Sequence, residues 1–187
     1  KLDFNLATNV LYHLEVAVNN STNFQNFQSL FGVSTFTAPN LDLDNNYYCA
    51  RLGAFDACTN AVASYSVPVC SDKFKVTAVS DANQLTWSTG AIPGTNYTIA
   101  RNGSTYVTTG TINFNDTDVI CKTQYCYRIT NNYSGGSKSI SLEKCVTTFT
   151  TKVPTAISNV TSVVTAGGVE LSWQQDPAFT PTKYFIN

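Results

Sequence analysis

The stretch Gln124–Cys145, QYCYRITNNYSGGSKSISLEKC, indicates a β-hairpin, because its two cysteines flank a Gly-Gly pair at equal distances. The midpoint between Cys126 and Cys145 falls between Gly135 and Gly136. A Gly-Gly pair between two alternating apolar runs predicts a two-residue hairpin turn. Antiparallel pairing about that turn places Cys126 directly opposite Cys145, close enough for a cross-strand disulfide.

A second pair of cysteines repeats this arrangement. The midpoint between Cys49 and Cys70 falls between Thr59 and Asn60, another turn-forming pair. We therefore predict a second disulfide, between Cys49 and Cys70. Zinc fits the six cysteines poorly, because no CxxC spacing occurs and the chain has a single His. Disulfides formed in an oxidising compartment fit better.

The composition argues against partners that bind through strong charge. The chain of 187 residues has a net charge of −1, and only 12% of its residues are charged, about half the usual share. It has no basic field for nucleic acid or an anionic lipid surface. It also has no apolar run of the roughly 18 residues that cross a bilayer. We expect no nucleic-acid partner and no transmembrane segment.

Three recurring motifs divide the chain into repeats. They are Leu-x-aromatic, a Tyr-x-aliphatic segment, and Tyr-Cys-x-Arg-aliphatic. The first occurs at Leu2–Phe4, Leu85–Trp87 and Leu171–Trp173, the second at Tyr12–Leu14, Tyr97–Ile99 and Tyr184–Ile186, and the third at Tyr48–Leu52 and Tyr125–Ile129. Each motif alternates with a period of two residues between turn-rich segments, which predicts short antiparallel strands and one β-sandwich per repeat.

These strands resemble fibronectin type III domains. The stretch 119–127 resembles the Leu-x-Pro-x-Thr-x-Tyr-x-Val pattern of that family, with Cys121 in place of Pro. The resemblance implies an all-β fold of tandem immunoglobulin-like antiparallel sandwiches. It also implies that Tyr125 and, by alignment, Tyr48 form tyrosine corners, in which the hydroxyl bonds the preceding backbone. The first repeat departs from the pattern through an insertion at 19–32.

The resemblance implies three domains. We expect a domain at 1–70 that lacks its first strand, a complete domain at 71–150, and the first strands of a truncated third domain at 153–187. An isolated half-sandwich leaves an apolar face and open edges. We therefore expect the protein to extend beyond this sequence at both ends.

The predicted disulfides leave Cys58 and Cys121 without partners. In the fibronectin type III arrangement these two residues lie at opposite ends of a two-domain rod, too far apart to bond with each other. Three alternatives remain open. Each could form an interdomain disulfide with an adjoining repeat, both could be free thiols, or Cys121 could bond Cys126.

No residue pattern indicates catalysis. His13 is predicted to be a solvated strand residue, since a catalytic triad would need two further partners around it. The segment 42–46 imitates the start of a calcium loop, but Tyr47 and Gly53 occupy the sixth and twelfth positions of that loop. The segment 116–118 is a weaker imitation. No glycine-rich nucleotide-binding motif occurs. We expect no cofactor, no metal and no enzyme activity.

The segments 47–70 and 120–147 are similar to fibronectin type III-like repeats of large Bacteroidota surface proteins. Such repeats precede the C-terminal domain of gliding-motility-associated proteins exported by the type IX secretion system. The resemblance implies a non-catalytic spacer or adhesive segment of a secreted or cell-surface protein on the outer-membrane exterior. Its implied partners are other domains of the same chain, and the translocon or other outer-membrane surface proteins. The alternative is an accessory module of a secreted polysaccharide-degrading enzyme.

Overall fold

The computed structural model describes residues 1–19, 21–90, 92–153, 155–175 and 183. The chain divides into two compact units, Lys1–Phe149 and Thr150–Asn187. The described residues form antiparallel strands, turns and one 3-10 turn, and the prediction of an all-β fold is confirmed. The motif predicted at Tyr184–Ile186 lies outside the described residues.

The part of the first unit that corresponds to the first predicted repeat contains seven strands. They are β1 (Leu2–Asp3), β2 (Leu11–Val18), β3 (Gln25–Phe31), β4 (Thr35–Phe36), β5 (Tyr48–Asp56), β6 (Ala61–Tyr65) and β7 (Val69–Cys70). β1 pairs with β4, and the larger sheet has the order β3-β2-β5-β6, with β7 also paired to β5. Strand β3 lies within the insertion at 19–32.

The second predicted repeat forms a sandwich of two antiparallel sheets. Its strands are β8 (Lys73–Val79), β9 (Ala82–Ser88), β10 (Asn96–Arg101), β11 (Ser104–Thr109), β12 (Asn113–Asp116), β13 (Gln124–Asn132), β14 (Lys138–Ile140) and β15 (Lys144–Thr147). One sheet has the order β12-β9-β8, and the other has the order β11-β10-β13-β14, with β15 also paired to β13. This strand arrangement is fibronectin type III-like.

The core of this sandwich follows from the alternation of its strands. Apolar residues at every second position point between the two sheets, because successive side chains of a strand point to opposite faces. The buried cluster consists of Phe74, Leu85, Trp87, Tyr97, Ile99, Tyr125, Tyr127 and Ile129. The recurring motifs therefore mark core positions.

The turn at the Gly-Gly pair is wider than predicted. Five residues, 133–137, connect β13 to β14, and the Tyr133 N–H donates to the Ser137 carbonyl at 2.9 Å. Gly135 and Gly136 have φ angles of 78° and 84°, a region that favours glycine. The prediction of a two-residue turn is wrong, because the glycines lie inside a larger loop rather than forming the whole turn.

Six of the edge strands of the first unit fall into two groups. β3, β6 and β11 contain no charged residue, and each has a β-bulge. The extra residue is Phe27 in β3, Ala63 in β6 and Tyr106 in β11. β8, β14 and β15 carry lysines instead: Lys73, Lys75, Lys138 and Lys144. Bulges and lysines both hinder pairing of an edge with a foreign strand.

The second unit contains a β-hairpin. Strand β16 (Ser158–Thr165) pairs with β17 (Gly168–Gln174), and Thr165 lies opposite Gly168 across a two-residue turn. The motif that contains Leu171 lies in β17, where Leu171 is 41% exposed. Within this unit the hairpin therefore leaves apolar side chains accessible.

Candidate functional site at the junction of the first two repeats

Two disulfides close the strand pairs that contain the cysteine motifs. Cys49 lies opposite Cys70 and Cys126 lies opposite Cys145, with Cα–Cα distances of 3.9 Å and 4.0 Å. These are the pairs that the sequence spacing predicts. Each one ties the strand of the Tyr-Cys motif to the last strand of its repeat.

The two disulfides differ in exposure although they occupy equivalent positions. Cys49 and Cys70 are 2% and 0% exposed, whereas Cys126 is half-buried and Cys145 is exposed. The difference arises because the connection after β9 in the second repeat covers the first disulfide. Ile92 from this connection packs against the cluster of Tyr47, Cys49 and Cys70, together with Phe24 of the first repeat.

Glycine allows this close approach. A Cβ atom on Gly90 would lie 2.8 Å from both Cβ and Sγ of Cys70 and 2.9 Å from Sγ of Cys49. The backbone of the second repeat therefore rests directly on the disulfide of the first. A larger residue at position 90 would separate the two surfaces.

Tyr133 joins the two repeats through hydrogen bonds. Its hydroxyl accepts from the Cys70 N–H at 3.1 Å and donates to the Cys70 carbonyl at 2.9 Å. The Asn131 side chain donates to the same hydroxyl at 3.0 Å. Burial raises the pKa of Tyr133 to about 12, so the hydroxyl keeps its proton and can donate at neutral pH.

Asp72 lies beside this hydrogen-bonded group. It is 9% exposed and accepts from Asn131 Nδ2 at 3.2 Å. Burial raises the pKa of Asp72 to about 6, and the hydrogen bond from Asn131 only partly opposes that rise. Among the residues that the structure describes, no Lys or Arg forms an ion pair with Asp72. The junction therefore contains a carboxyl group that is costly to ionise.

Charged contacts surround the junction at the surface. Lys144 Nζ of the second repeat lies 2.8 Å from Asp44 Oδ1 of the first. Lys73 Nζ donates to the Asn45 carbonyl at 3.3 Å and lies 5.6 Å from the centre of the Tyr47 ring. Exposed ion pairs contribute little on average. They orient the repeats while the buried contacts supply cohesion.

Asn131 and Tyr133 were not among the predicted site residues, although the sequence contains a signal for them. Tyr125, Tyr127 and Ile129 occupy alternating core positions, and the same alternation continues through Asn131 and Tyr133. All five are buried, with exposures between 0% and 8%. A polar residue and a tyrosine that continue an inward alternation at a strand end indicate a buried polar contact.

The two predicted tyrosine corners differ. The Tyr125 hydroxyl accepts a hydrogen bond from the Ile120 N–H at 3.0 Å, five residues upstream, as a tyrosine corner requires. Tyr48 is half-buried, and its N–H donates to Ser71 Oγ at 3.0 Å. Among the described residues, no hydrogen bond joins the Tyr48 hydroxyl to the segment before it.

The segment 116–118 contributes to a buried network in the second repeat. Asp116 is 0% exposed and accepts from Tyr127 at 2.7 Å, from Tyr106 at 3.1 Å and from Arg101 at 3.0 Å. The Arg101 guanidinium also lies 3.8 Å from the Tyr106 ring centre and bonds Asp118. Because Arg101 and the hydroxyls occupy this carboxylate, it has a structural role.

The other polar residues examined in the sequence have structural contacts. His13 stacks on Phe55 with ring centres 4.8 Å apart, so it is packed rather than fully solvated. In the segment 42–46, the Asp42 carboxylate accepts from the Asn45 backbone and side chain at 3.2 Å and 2.9 Å. These hydrogen bonds lower the pKa of Asp42. The segment is held by its own contacts.

Cys58 and Cys121 are free and exposed, whereas Cys126 bonds Cys145. This structure therefore does not contain the local Cys121–Cys126 bond. A group of potential metal ligands, Cys126, Glu143 and Cys145, lies within 4.8 Å. Its two sulfurs are joined in the disulfide and cannot act as thiolates. Among the described residues, no helix is long and apolar enough to cross a membrane.

No protein-family model and no curated protein matches the chain. Among solved structures, the central fibronectin-III array of RIM-binding protein is similar, with 12% identity and a TM-score of 0.38 over 91% of this chain and 70% of that one. The FN1–FN3 domains of chicken CNTN1 show 13% identity and a TM-score of 0.33 over 91% and 67%. The assignment of fibronectin type III-like sandwiches is based on the strand order and register described above.

Proposed function

We propose that the chain is a non-catalytic spacer or adhesive segment of a secreted or cell-surface protein. The observation that carries this proposal is the fusion of the first two repeats into one compact unit. The backbone of the second repeat packs on the disulfide of the first at Gly90, and Tyr133 bonds Cys70. These buried contacts allow the pair to hold a fixed distance between attached domains. Disulfides are typical of proteins that fold in an oxidising compartment.

The junction supports a rigid spacer more strongly than a flexible chain of beads. Domains joined by exposed, polar linkers move relative to one another by default. Here the segment between β7 and β8 contains Asp72 and adjoins Cys70, both of which are buried. The linking segment is thus part of the packed junction.

Rigidity can be tested by measuring residual dipolar couplings of the chain at pH 5. A rigid pair requires one common alignment tensor for both repeats. Tyr133→Phe should give two diverging tensors, because it removes the hydroxyl that bridges to Cys70. Tyr106→Phe is a matched control that removes a hydroxyl inside the second repeat and should keep the common tensor. Two independent tensors in the unmodified chain would contradict the spacer function.

The finer form of the proposal is a type IX secretion system cargo connected with gliding motility or surface adhesion, displayed on the outer-membrane exterior. It is based on the resemblance of segments 47–70 and 120–147 to repeats of such cargo. The partners would be other domains of the same chain, and the translocon or other outer-membrane surface proteins.

Surface display can be tested by protease treatment of intact cells that carry or lack the translocon. Cargo should be cleaved only on cells with a working translocon, and translocon subunits should co-purify with it. A periplasmic protein serves as the control and should resist cleavage in both strains. Equal cleavage of the chain in both strains would reject this export route.

A further inference from the structure

We infer that protonation of Asp72 regulates the junction, so that the two repeats are held together firmly in acid and separate more often at neutral pH. The inference rests on the proposed spacer function, since it concerns the stiffness of that same junction. It follows from the position of one buried carboxyl group and from the contacts around it.

Asp72 lies in the segment that links the two repeats. This segment runs between β7 of the first repeat and β8 of the second, and Asp72 is two residues after Cys70. Its carboxyl accepts from Asn131, whose amide also bonds the Tyr133 hydroxyl that joins the repeats. A charge on Asp72 is therefore placed within the hydrogen-bonded group that closes the junction.

Two tyrosines and several charged side chains surround Asp72. Tyr97 on β10 and Tyr133 after β13 both interact with its charge, which raises their pKa values beyond the effect of burial. A cavity of about 140 Å³ beside Asp72 is also lined by Lys1, Asp44 and Lys144. Lys144 is paired with Asp44, and the adjacent Lys73 donates to the first repeat. Lys1 is paired with Asp3 at 3.1 Å, so all three cations are engaged with groups other than Asp72.

One buried acceptor at the junction has no donor. Asn131 Oδ1 is buried and has no hydrogen-bond partner among the described residues. A Cβ on Gly94 would collide with this atom, so the amide is tightly enclosed. The junction thus contains more acceptors than donors while Asp72 is ionised. Protonation of Asp72 supplies one further donor to this group and removes a charge that burial disfavours.

Separation of the repeats would hydrate Asp72 and lower its pKa toward the ordinary value of 3.8. The separated form therefore releases the proton more readily than the closed form. By linkage, raising the pH through the interval between the two pKa values favours separation. The folded-state pKa of about 6 places this interval between about pH 4 and pH 6.

The two disulfides provide an internal measurement of this opening. Reduction of Cys49–Cys70 requires the second repeat to move away, whereas Cys145 of the other disulfide is exposed already. The full chain is treated with a water-soluble phosphine between pH 4.5 and 7.5, and both reduction rates are read by alkylation and mass spectrometry. Their ratio cancels the pH dependence of the reductant.

We expect the rate for Cys49–Cys70, relative to that for Cys126–Cys145, to rise by about 25-fold from pH 4.5 to 7.5. Asp72→Asn cannot ionise and should hold the ratio near its acidic value at every pH. Asp118→Asn removes an exposed carboxylate that lies two residues after β12 and pairs with Arg101, and it should retain the full pH dependence. The unmodified chain alone tests the inference if Asp72→Asn fails to fold.

The results separate the two proposals. A ratio far below one that does not change with pH, or an unchanged pH dependence in Asp72→Asn, would overturn the regulation and leave the rigid spacer intact. A ratio near one at every pH would show that the second repeat does not cover the first disulfide in solution. That result would overturn the regulation and the spacer function together.

Discussion

The Tyr133 hydroxyl bonds both the N–H and the carbonyl of Cys70, a residue 63 positions earlier in the chain. One side chain of the second repeat thus satisfies both backbone groups of a buried residue in the first. Buried backbone groups require such partners. The two repeats consequently depend on each other for the hydrogen bonding of the segment that links them.

Tyr133→Phe should destabilise the first unit by about 1–3 kcal/mol, because it leaves the backbone groups of Cys70 buried without partners. Urea unfolding of the chain measures this change. Tyr65→Phe is the matched control, since Tyr65 is 48% exposed and its hydroxyl donates to Glu15 at 3.3 Å. The control should cost less than about 0.5 kcal/mol. Equal losses in both variants would show that Tyr133 has no special role.

Gly90→Ala and Gly94→Ala should each destabilise the junction by about 1–3 kcal/mol through overpacking. The added Cβ would meet the first disulfide at position 90 and Asn131 at position 94. Gly110→Ala is the control, because a Cβ there meets nothing within 4 Å and its φ is not in the left-handed region. Thermal unfolding should separate the control from the other two variants. Similar stability of all three would contradict the close contact.

The stability of the first unit should depend on pH through Asp72. Its pKa is about 6 in the folded chain against an ordinary value of 3.8. The folded chain therefore binds the proton more tightly, and the free energy of unfolding falls as the pH rises from about 4 to 6. The difference between these two pKa values corresponds to a loss of about 3 kcal/mol in the free energy of unfolding across this pH range.

Asp72→Asn isolates this contribution. The variant and the unmodified chain should have similar stability near pH 4, and the variant should be more stable above pH 6, by up to about 3 kcal/mol. Urea unfolding across this range measures the difference. A constant difference at every pH would mean that Asp72 does not titrate with a raised pKa.

Asp116→Ala should be the most damaging of these substitutions. It would leave the Tyr127 hydroxyl buried without its acceptor and the partly buried Arg101 with Asp118 alone, at a cost of about 3 kcal/mol or more. Asp118→Ala removes a carboxylate whose side chain is 79% exposed, and it should cost less than about 1 kcal/mol. Chemical denaturation compares the two. Comparable losses would indicate that burial of the Asp116 network is incomplete in solution.

The number of reactive thiols should be two. Cys58 and Cys121 are exposed and free, so both should react with a maleimide in the native chain, and the other four cysteines should not react until a reductant is added. Intact-mass measurement gives the count. When adjoining repeats are added to the chain, loss of reactivity at Cys58 or Cys121 would reveal the interdomain disulfides that the sequence analysis left open.

Hairpin symmetry predicted the cysteine pairs even though the turn was wrong. β13 pairs with β14 in one register and with β15 in a register shifted by one residue. The predicted midpoint therefore held for Cys126 and Cys145, which lie beyond this shift. Local pattern determines which strands pair, whereas the loop conformation depends on contacts such as the one between Tyr133 and Ser137.

The junction could not be predicted because its contacts are long-range. Cys49 is on the outward face of its strand, where alternation alone predicts exposure, yet it is buried because Phe24 of its own repeat and Ile92 of the next repeat pack against its cluster. Asp72 lies two residues from Cys70 and two from Phe74, both buried, but this alternation does not identify the groups that contact its carboxyl. Only the three-dimensional placement of Asn131 and Tyr133 explains its environment.

The bulges of β3, β6 and β11, and the lysines of β8, β14 and β15, have a consequence for crowding. Molecules displayed side by side on a surface meet at high local concentration, and an uncharged, regular strand margin would template fibril growth between neighbours. Here six of the edge strands of the first unit are kinked by a bulge or carry a lysine. These features disfavour strand pairing between neighbouring copies of the chain.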